Sequence, residues 1–138
     1  MLMWPKYNLP FDPTLSYWLG GIATFDREET LGEALKIYNP NKLKDRESVI
    51  KKFILPRFSD FTYRHRFLLF KILENSLSKP EFNFSYEFES DFDNNECIAW
   101  DETEIDDPRG FFEDIYRLAS EEWKDDLQKA SSEDPSDW

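Results

Sequence analysis

The sequence has little of the residue types that form disulfides, metal sites and phosphate-binding loops. Cys97 is the only cysteine, His65 is the only histidine, and there are four glycines in 138 residues. A single cysteine cannot form an intramolecular disulfide, so nothing in the composition favours an oxidising compartment. Gly20–Gly21 is not followed by the Lys-Ser/Thr pair of a phosphate-binding loop, which excludes that class of nucleotide site.

Long hydrophobic runs are also missing. The N-terminal stretch MLMWPKYNLPFDPTLSYW is interrupted by Pro5, Pro10 and Pro13, and no charged segment precedes an unbroken apolar one. We therefore expect no signal peptide, no transmembrane span and no membrane partner. The expected location is the cytoplasm.

No catalytic motif can be assembled from the chemistry that remains. His65 lies between Arg64 and Arg66, but no second histidine and no nucleophile motif accompanies it, so a polar helix face is the favoured interpretation. We expect a non-enzymatic protein without a cofactor. A small enzyme that uses His65 is kept as an alternative.

Aromatic residues and negative charge are present in excess. Aromatics make up 17% of the chain, and the net charge is -12. The charge is local: residues 1–86 carry ten acidic and thirteen basic side chains, whereas residues 87–114 carry twelve acidic side chains and only one basic side chain. A local negative field attracts a cationic partner and repels nucleic acids, so we expect no nucleic-acid partner.

Hydrophobic periodicity predicts a single α+β domain over residues 1–130, followed by a flexible acidic tail at residues 131–138. Apolar residues at helical spacing indicate about four helices, near residues 31–38, 45–55, 60–77 and 108–129. Ser59 or Asp60 is expected to cap the third helix. Asp107 before Pro108 is expected to cap the fourth.

A small antiparallel sheet is predicted beside these helices. Ser16–Phe25 suits a strand with a bend at Gly20–Gly21. Between residues 82 and 88, aromatic residues alternate with polar ones, as in a half-buried strand. Asp91–Asn95 is a turn cluster, so Cys97–Trp100 is expected to pair back and complete a hairpin near residues 82–100.

One stretch matches the spacing of a calcium loop. Asp91, Asp93, Asn95 and Glu102 fall at ligand positions of an EF-hand, but Glu96 occupies the position where the sharp turn needs glycine. The preceding segment also has strand rather than helix patterning. We therefore expect no metal site.

The acidic stretch Glu87–Asp114 is the candidate functional surface. Aromatic residues run through it, which indicates a folded segment, and like charges gathered on one face destabilise a fold. A cationic protein partner explains the charge, and a solvated face that confers solubility is the other interpretation left open. The candidate contacts are seven carboxylates and one aromatic anchor: Asp91, Asp93, Asp101, Glu102, Glu104, Asp106, Asp107 and Trp100.

In size, acidity, aromatic content, single cysteine and lack of active-site motifs, the chain resembles the immunity proteins of bacterial toxin systems, including contact-dependent growth inhibition. The resemblance implies an antitoxin that binds a cognate basic toxin domain, often a nuclease, one to one. It also implies that the acidic surface occludes the active site of the toxin in place of phosphates. The alternative is a nucleic-acid mimic that inhibits a DNA- or RNA-binding protein.

Overall fold

Helices supply all the regular structure of the chain. The computed structural model describes residues 1–138, of which 59% are helical, and it contains no strand and no sheet. The α-helices are α1 (Glu33–Leu35), α2 (Leu43–Val49), α3 (Tyr63–Leu77), α4 (Pro108–Glu122) and α5 (Lys124–Ser131). The 3-10 helices span Leu15–Ile22, Leu55–Phe58, Phe84–Phe88, Phe92–Asn94 and Pro135–Asp137. Glu28–Gly32 and Ile50–Ile54 are π-helical turns. The predicted α+β class, with its antiparallel sheet, is therefore wrong.

The hairpin predicted near residues 82–100 does not form. Its first arm is the 3-10 helix Phe84–Phe88, in which Phe84 and Phe88 pack against Phe112 with ring centroids 5.1 and 5.7 Å away. Tyr86, which alternation would place beside them, is 68% exposed. The surface facing this segment is helix α4, whose backbone groups are bonded within the helix. It therefore offers no edge for a strand, and burial at positions i and i+4 completes a helical turn instead.

The second arm of that predicted hairpin has a different neighbour. Thr24 N donates to the carbonyl oxygen of Cys97 at 2.8 Å, and Ala99 N donates to the carbonyl oxygen of Ile22 at 3.0 Å. These bonds join residues 97–99 to the end of the first 3-10 helix through an isolated bridge.

The strand predicted at Ser16–Phe25 is mostly the 3-10 helix Leu15–Ile22. Its buried residues, Leu15, Trp18, Leu19 and Ile22, have helical spacing. The glycine pair is a packing feature, because a Cβ atom on Gly21 would lie 1.8 Å from the carbonyl oxygen of Phe53.

Trp18 lies at the centre of the core and is fully buried. Its indole Nε1 donates to the carbonyl oxygen of Leu69 in α3 at 3.1 Å. Its ring stacks on Trp123 at 5.4 Å and meets the edge of Phe58 at 5.3 Å. One side chain thus links the first 3-10 helix, α3, the α4–α5 junction and the 3-10 helix Leu55–Phe58.

The predicted helix ends agree in part with the structure. Asp107 caps α4, since its Oδ1 accepts from Gly110 N at 2.9 Å, which confirms that prediction. The cap of α3 is Thr62 rather than Ser59 or Asp60. The helix predicted near residues 108–129 is divided at Trp123, where the backbone leaves helical values.

Residues 131–138, expected to be a flexible tail, pack against α3. Trp138 is 7% exposed, its ring lies 5.8 Å from that of Phe67, and its Nε1 donates to Glu133 Oε1 at 3.0 Å.

No helix of the fold has both the length and the apolar composition needed to cross a membrane.

Candidate functional site

Four carboxylates meet around a concave site that we call the acidic cleft: Glu87, Glu89, Asp91 and Glu96. Ser16, Tyr86 and Ser90 complete its lining, and its volume is about 250 Å³. A second depression, of about 160 Å³, shares Ser16, Glu87, Glu89 and Glu96 with it and extends past Leu19 to Cys97. Neither lining contains a Lys or Arg side chain.

Local structure explains why these carboxylates converge. Burial of Phe84 and Phe88 leaves Tyr86 and Glu89 exposed and Glu87 half-buried. Beyond Glu89, the backbones of Asp91 and Glu96 exchange hydrogen bonds of 2.7 Å, and Asn95 closes the turn with a left-handed φ of 59°. The chain therefore folds back and brings Glu96 towards Glu87.

The charge in the acidic cleft is not neutralised within the chain. Burial raises the pKa of the Glu87 carboxyl above its ordinary value, and the negative charge of Glu96 raises it further. Of the twelve acidic side chains in Glu87–Asp114, only Asp114 forms an ion pair, with Arg46 at 2.7 Å and with Arg117 at 3.5 Å.

The single basic side chain of this stretch points elsewhere. Arg109 donates to the carbonyl oxygens of Leu77, Lys79, Pro80 and Phe82, at distances of 2.7–3.4 Å. Its guanidinium lies 4.8 Å from the centre of the Phe84 ring. Arg109 therefore stabilises the C-terminal end of α3 and leaves the carboxylates without a counter-ion.

A second group of carboxylates lies on residues 101–107, which we call the acidic loop. Asn41 fixes this loop from outside, because its Nδ2 donates to the carbonyl oxygen of Glu104 at 2.8 Å and its Oδ1 accepts from Asp106 N at 2.9 Å. No cation contributes to that anchor. The loop is thus held in place by an uncharged side chain.

Three of the carboxylates predicted to bind a partner also have structural roles. Asp91 accepts from Asn94 Nδ2 at 2.6 Å, Asp101 accepts from Thr103 N at 2.9 Å, and Asp107 caps α4. The Thr103 hydroxyl and backbone hold the pKa of Asp101 below its ordinary value. Turn formation accounts for part of the charge that the sequence analysis attributed to a partner.

The remaining predicted contacts divide into exposed and buried side chains. Asp93, Glu102 and Asp106 are exposed and form no ion pair, whereas Glu104 Oε1 accepts from Asp101 N at 3.1 Å. Trp100 is 7% exposed and belongs to the hydrophobic core. The structure places it among core side chains rather than as a projecting anchor.

Two aromatic side chains that the sequence analysis did not select are exposed beside the acidic cleft. Tyr86 lines the cleft and is 68% exposed, and Phe92, in the turn next to Asp91, is 67% exposed. Alternation pointed to a buried Tyr86, so the sequence carried no signal for its exposure. Large aromatic side chains of this kind anchor protein interfaces.

His65 has a structural environment. It is 4% exposed, its Nε2 donates to the carbonyl oxygen of Met3 at 2.6 Å, and its Nδ1 lies 2.7 Å from the Thr62 hydroxyl. Both ring nitrogens are thus engaged in holding the N-terminus against the start of α3.

No group of three or more His, Cys, Asp or Glu side chains has a geometry that could hold a metal ion.

Comparisons with known proteins give no relative from which a site residue can be transferred. No family model matches the chain, and no curated protein and no solved structure is significantly similar to it.

Proposed function

We propose that this chain is an immunity protein that binds a basic toxin domain in the cytoplasm and neutralises it without catalysis. The observation that carries the proposal is that the acidic stretch has almost no cationic partners within the chain. Its carboxylates are folded into defined positions, yet only Asp114 has a cationic partner inside the chain. A complementary Lys- and Arg-rich surface would supply the missing counter-charge.

The geometry of the acidic cleft favours binding over simple solubility. A face that serves only to be solvated keeps its carboxylates in water, whereas Glu87 is half-buried and has a raised pKa. The fold bears an electrostatic cost at this position that a bound cation would relieve. Cations of a nuclease that normally hold phosphates have the required chemistry.

Occlusion is the proposed mechanism. A cleft of about 250 Å³ can admit a long basic side chain of the toxin, with Glu87 and Glu89 as acceptors. The exposed ring of Tyr86 can cover the cation from one side by a cation–π contact. Asp93, Glu102 and Asp106 would pair at the rim and steer the encounter.

Co-expression with a basic toxin domain identified by pull-down with this chain tests the proposal. The intact chain is expected to restore growth, and Glu89→Lys combined with Glu96→Lys is expected to abolish protection. Glu121→Lys combined with Glu122→Lys changes two exposed acids on α4 by the same amount and is the matched control. If both pairs protect equally well, the acidic cleft does not bind the toxin.

A further inference from the structure

A further cleft lies beside the first 3-10 helix. Ser16 lines the acidic cleft, whereas the next residue, Tyr17, lines a depression of about 230 Å³ that we call the aromatic cleft. Its lining is aromatic and cationic: Trp4, Pro5, Lys6, Tyr7, Tyr17, Arg57, Asp60 and Phe61. Consecutive residues of one helical element therefore line the two clefts, which are neighbours.

The N-terminal turn that forms one wall of the aromatic cleft is ordered and carries exposed apolar side chains. Met3 and Pro10 form an isolated bridge, and Trp4 packs edge-on against Phe11 and Tyr17 at 4.6 and 5.1 Å. Half of the eight exposed large hydrophobic side chains of the protein lie in its first nine residues: Met1, Met3, Tyr7 and Leu9. Clustered exposed apolar residues mark protein interfaces.

The charge of the aromatic cleft is opposite to that of its neighbour. Lys6 and Arg57 are exposed and belong to none of the ion pairs of the fold. Arg57 lies over the Tyr17 ring at 4.3 Å and donates to the carbonyl oxygen of Tyr17 at 2.9 Å, so its cation is held in place. Asp60 is the only carboxylate in this lining, against four in the acidic cleft.

We propose that the occupant of the aromatic cleft is a second copy of this chain. A two-fold axis beside Ser16 and Tyr17 would place the aromatic cleft of each copy against the acidic cleft of the other. Lys6 and Arg57 of each copy then face the carboxylates of the other copy's acidic cleft. The exposed apolar side chains of each N-terminal turn face Tyr86 and Phe92 of the other copy. Because the same contact occurs twice, the assembly closes as a dimer instead of growing into a filament.

The dimer has a functional consequence that goes beyond neutralisation of a toxin. It covers the acidic cleft in the absence of a partner, and it does not depend on what that partner is. A basic protein that needs the acidic cleft must displace the second copy. The protein therefore exchanges between a self-paired form and a partner-bound form.

Sedimentation equilibrium of the purified chain tests the proposal without any partner. At an ionic strength near 0.15 M, the repulsion between net charges is screened while contacts shorter than about 8 Å persist. Over concentrations from about 10 µM to about 1 mM, the range of moderate to weak dissociation constants, the average mass is expected to rise from 16.6 kDa towards twice that value. A mass that stays at 16.6 kDa throughout overturns the proposal.

Charge exchange gives the sharper readout. Lys6→Glu and Glu89→Lys are each expected to abolish association alone, whereas an equimolar mixture of the two variants is expected to restore it, because opposite charges then face each other at both contacts. Lys124→Glu, an equal change at an exposed site on α5, is the control and should associate like the unmodified chain. A mixture that remains monomeric, or a control that dissociates equally, contradicts the two-fold arrangement.

Discussion

Glu87 is an acidic residue whose ionised form is disfavoured by its environment. Burial and the charge of Glu96 both favour its protonated form in the folded protein, so its folded-state pKa lies above its unfolded value. Protonated Glu87 therefore adds stability below the unfolded pKa, and that stability is lost as the pH rises through the folded pKa. At neutral pH, the ionised side chain is a net cost to the isolated chain.

We predict that Glu87→Gln stabilises the free protein at pH 7. The gain should be no more than about 1 kcal/mol, because the half-exposed carboxylate is screened by solvent. It should disappear below the ordinary glutamate pKa of 4.5, where both variants are neutral at this position. Urea unfolding at pH 7 and pH 4 measures the difference, with the exposed Glu89→Gln as control. A destabilised variant at pH 7 would show that ionised Glu87 has an internal partner.

Asp114, in contrast to Glu87, is an acidic residue whose charge stabilises the fold. It pairs with Arg46, and the two side chains are only 16% and 13% exposed. The pair joins α2 to α4, and Arg46 also donates to the carbonyl oxygen of Pro40 at 2.9 Å. Sequence position alone placed Asp114 in the same acidic stretch as Glu87.

We predict that Asp114→Ala lowers the free energy of unfolding by about 3 kcal/mol, because it leaves a largely buried guanidinium without its carboxylate. Glu113→Ala, the exposed neighbour on the same helix, should change it by less than about 0.5 kcal/mol. Denaturant titration of the two variants at the same pH provides the comparison. Equal stability losses would mean that the ion pair does not contribute.

At the scale of elements, the sequence predicted helices better than strands. The apolar residues of α3 and α4 repeat over enough positions for the helical period to be unambiguous. Asp107–Pro108 is in addition a specific cap signal. Leu15–Ile22 and Phe84–Phe88 are short, and their apolar spacing fits either period. What decides between them is the neighbouring surface, which is helical in both cases and not visible in a local pattern.

The acidic cleft was predictable only as a charge excess. Glu87 and Glu96 are nine residues apart, and the turn at Asn95 together with the 3-10 helix Phe84–Phe88 brings them together. The sequence located the acidic stretch but not its division into a cleft and a loop. The preference of aromatic residues for interfaces predicts Trp100 as an anchor, whereas its burial depends on contacts that are distant in sequence.

Arg109 connects two elements, and its loss should affect the fold rather than the acidic surface. We predict that Arg109→Ala lowers the free energy of unfolding by about 2–3 kcal/mol, since several carbonyl oxygens lose a charged donor. Arg109→Lys should recover only part of this stability, because an ammonium cannot reproduce the planar arrangement of donors. Thermal unfolding of both variants is the measurement, and a neutral Arg109→Ala would remove this role.

The C-terminal segment is predicted to depend on its last residue. Trp138→Ala removes the contact with Phe67 and the hydrogen bond to Glu133, so amide hydrogen exchange should accelerate in residues 131–137 while α4 stays protected. Asp137→Ala, at an exposed position in the same segment, is the control. Fast exchange of this segment already in the unmodified chain would show that it is not packed.

At the scale of the whole molecule, charge is separated along the chain. Residues 1–86 carry a small positive excess, whereas Glu87–Asp114 carries a net charge of -11 on a folded surface. The ion pairs that hold the helices together use other acids, apart from Asp114. We propose that this folded negative surface binds a cationic protein.

The most direct test is the association rate with a basic toxin domain identified by pull-down, measured by stopped flow across a salt series. At low salt the rate should lie well above the unsteered value of about 10⁵–10⁶ M⁻¹s⁻¹ and should fall steeply as salt rises. Glu89→Lys should slow association, and Glu121→Lys, at an exposed site on α4, should change it much less. An association rate that is independent of salt, or a binding footprint confined to residues 1–80, would contradict the account.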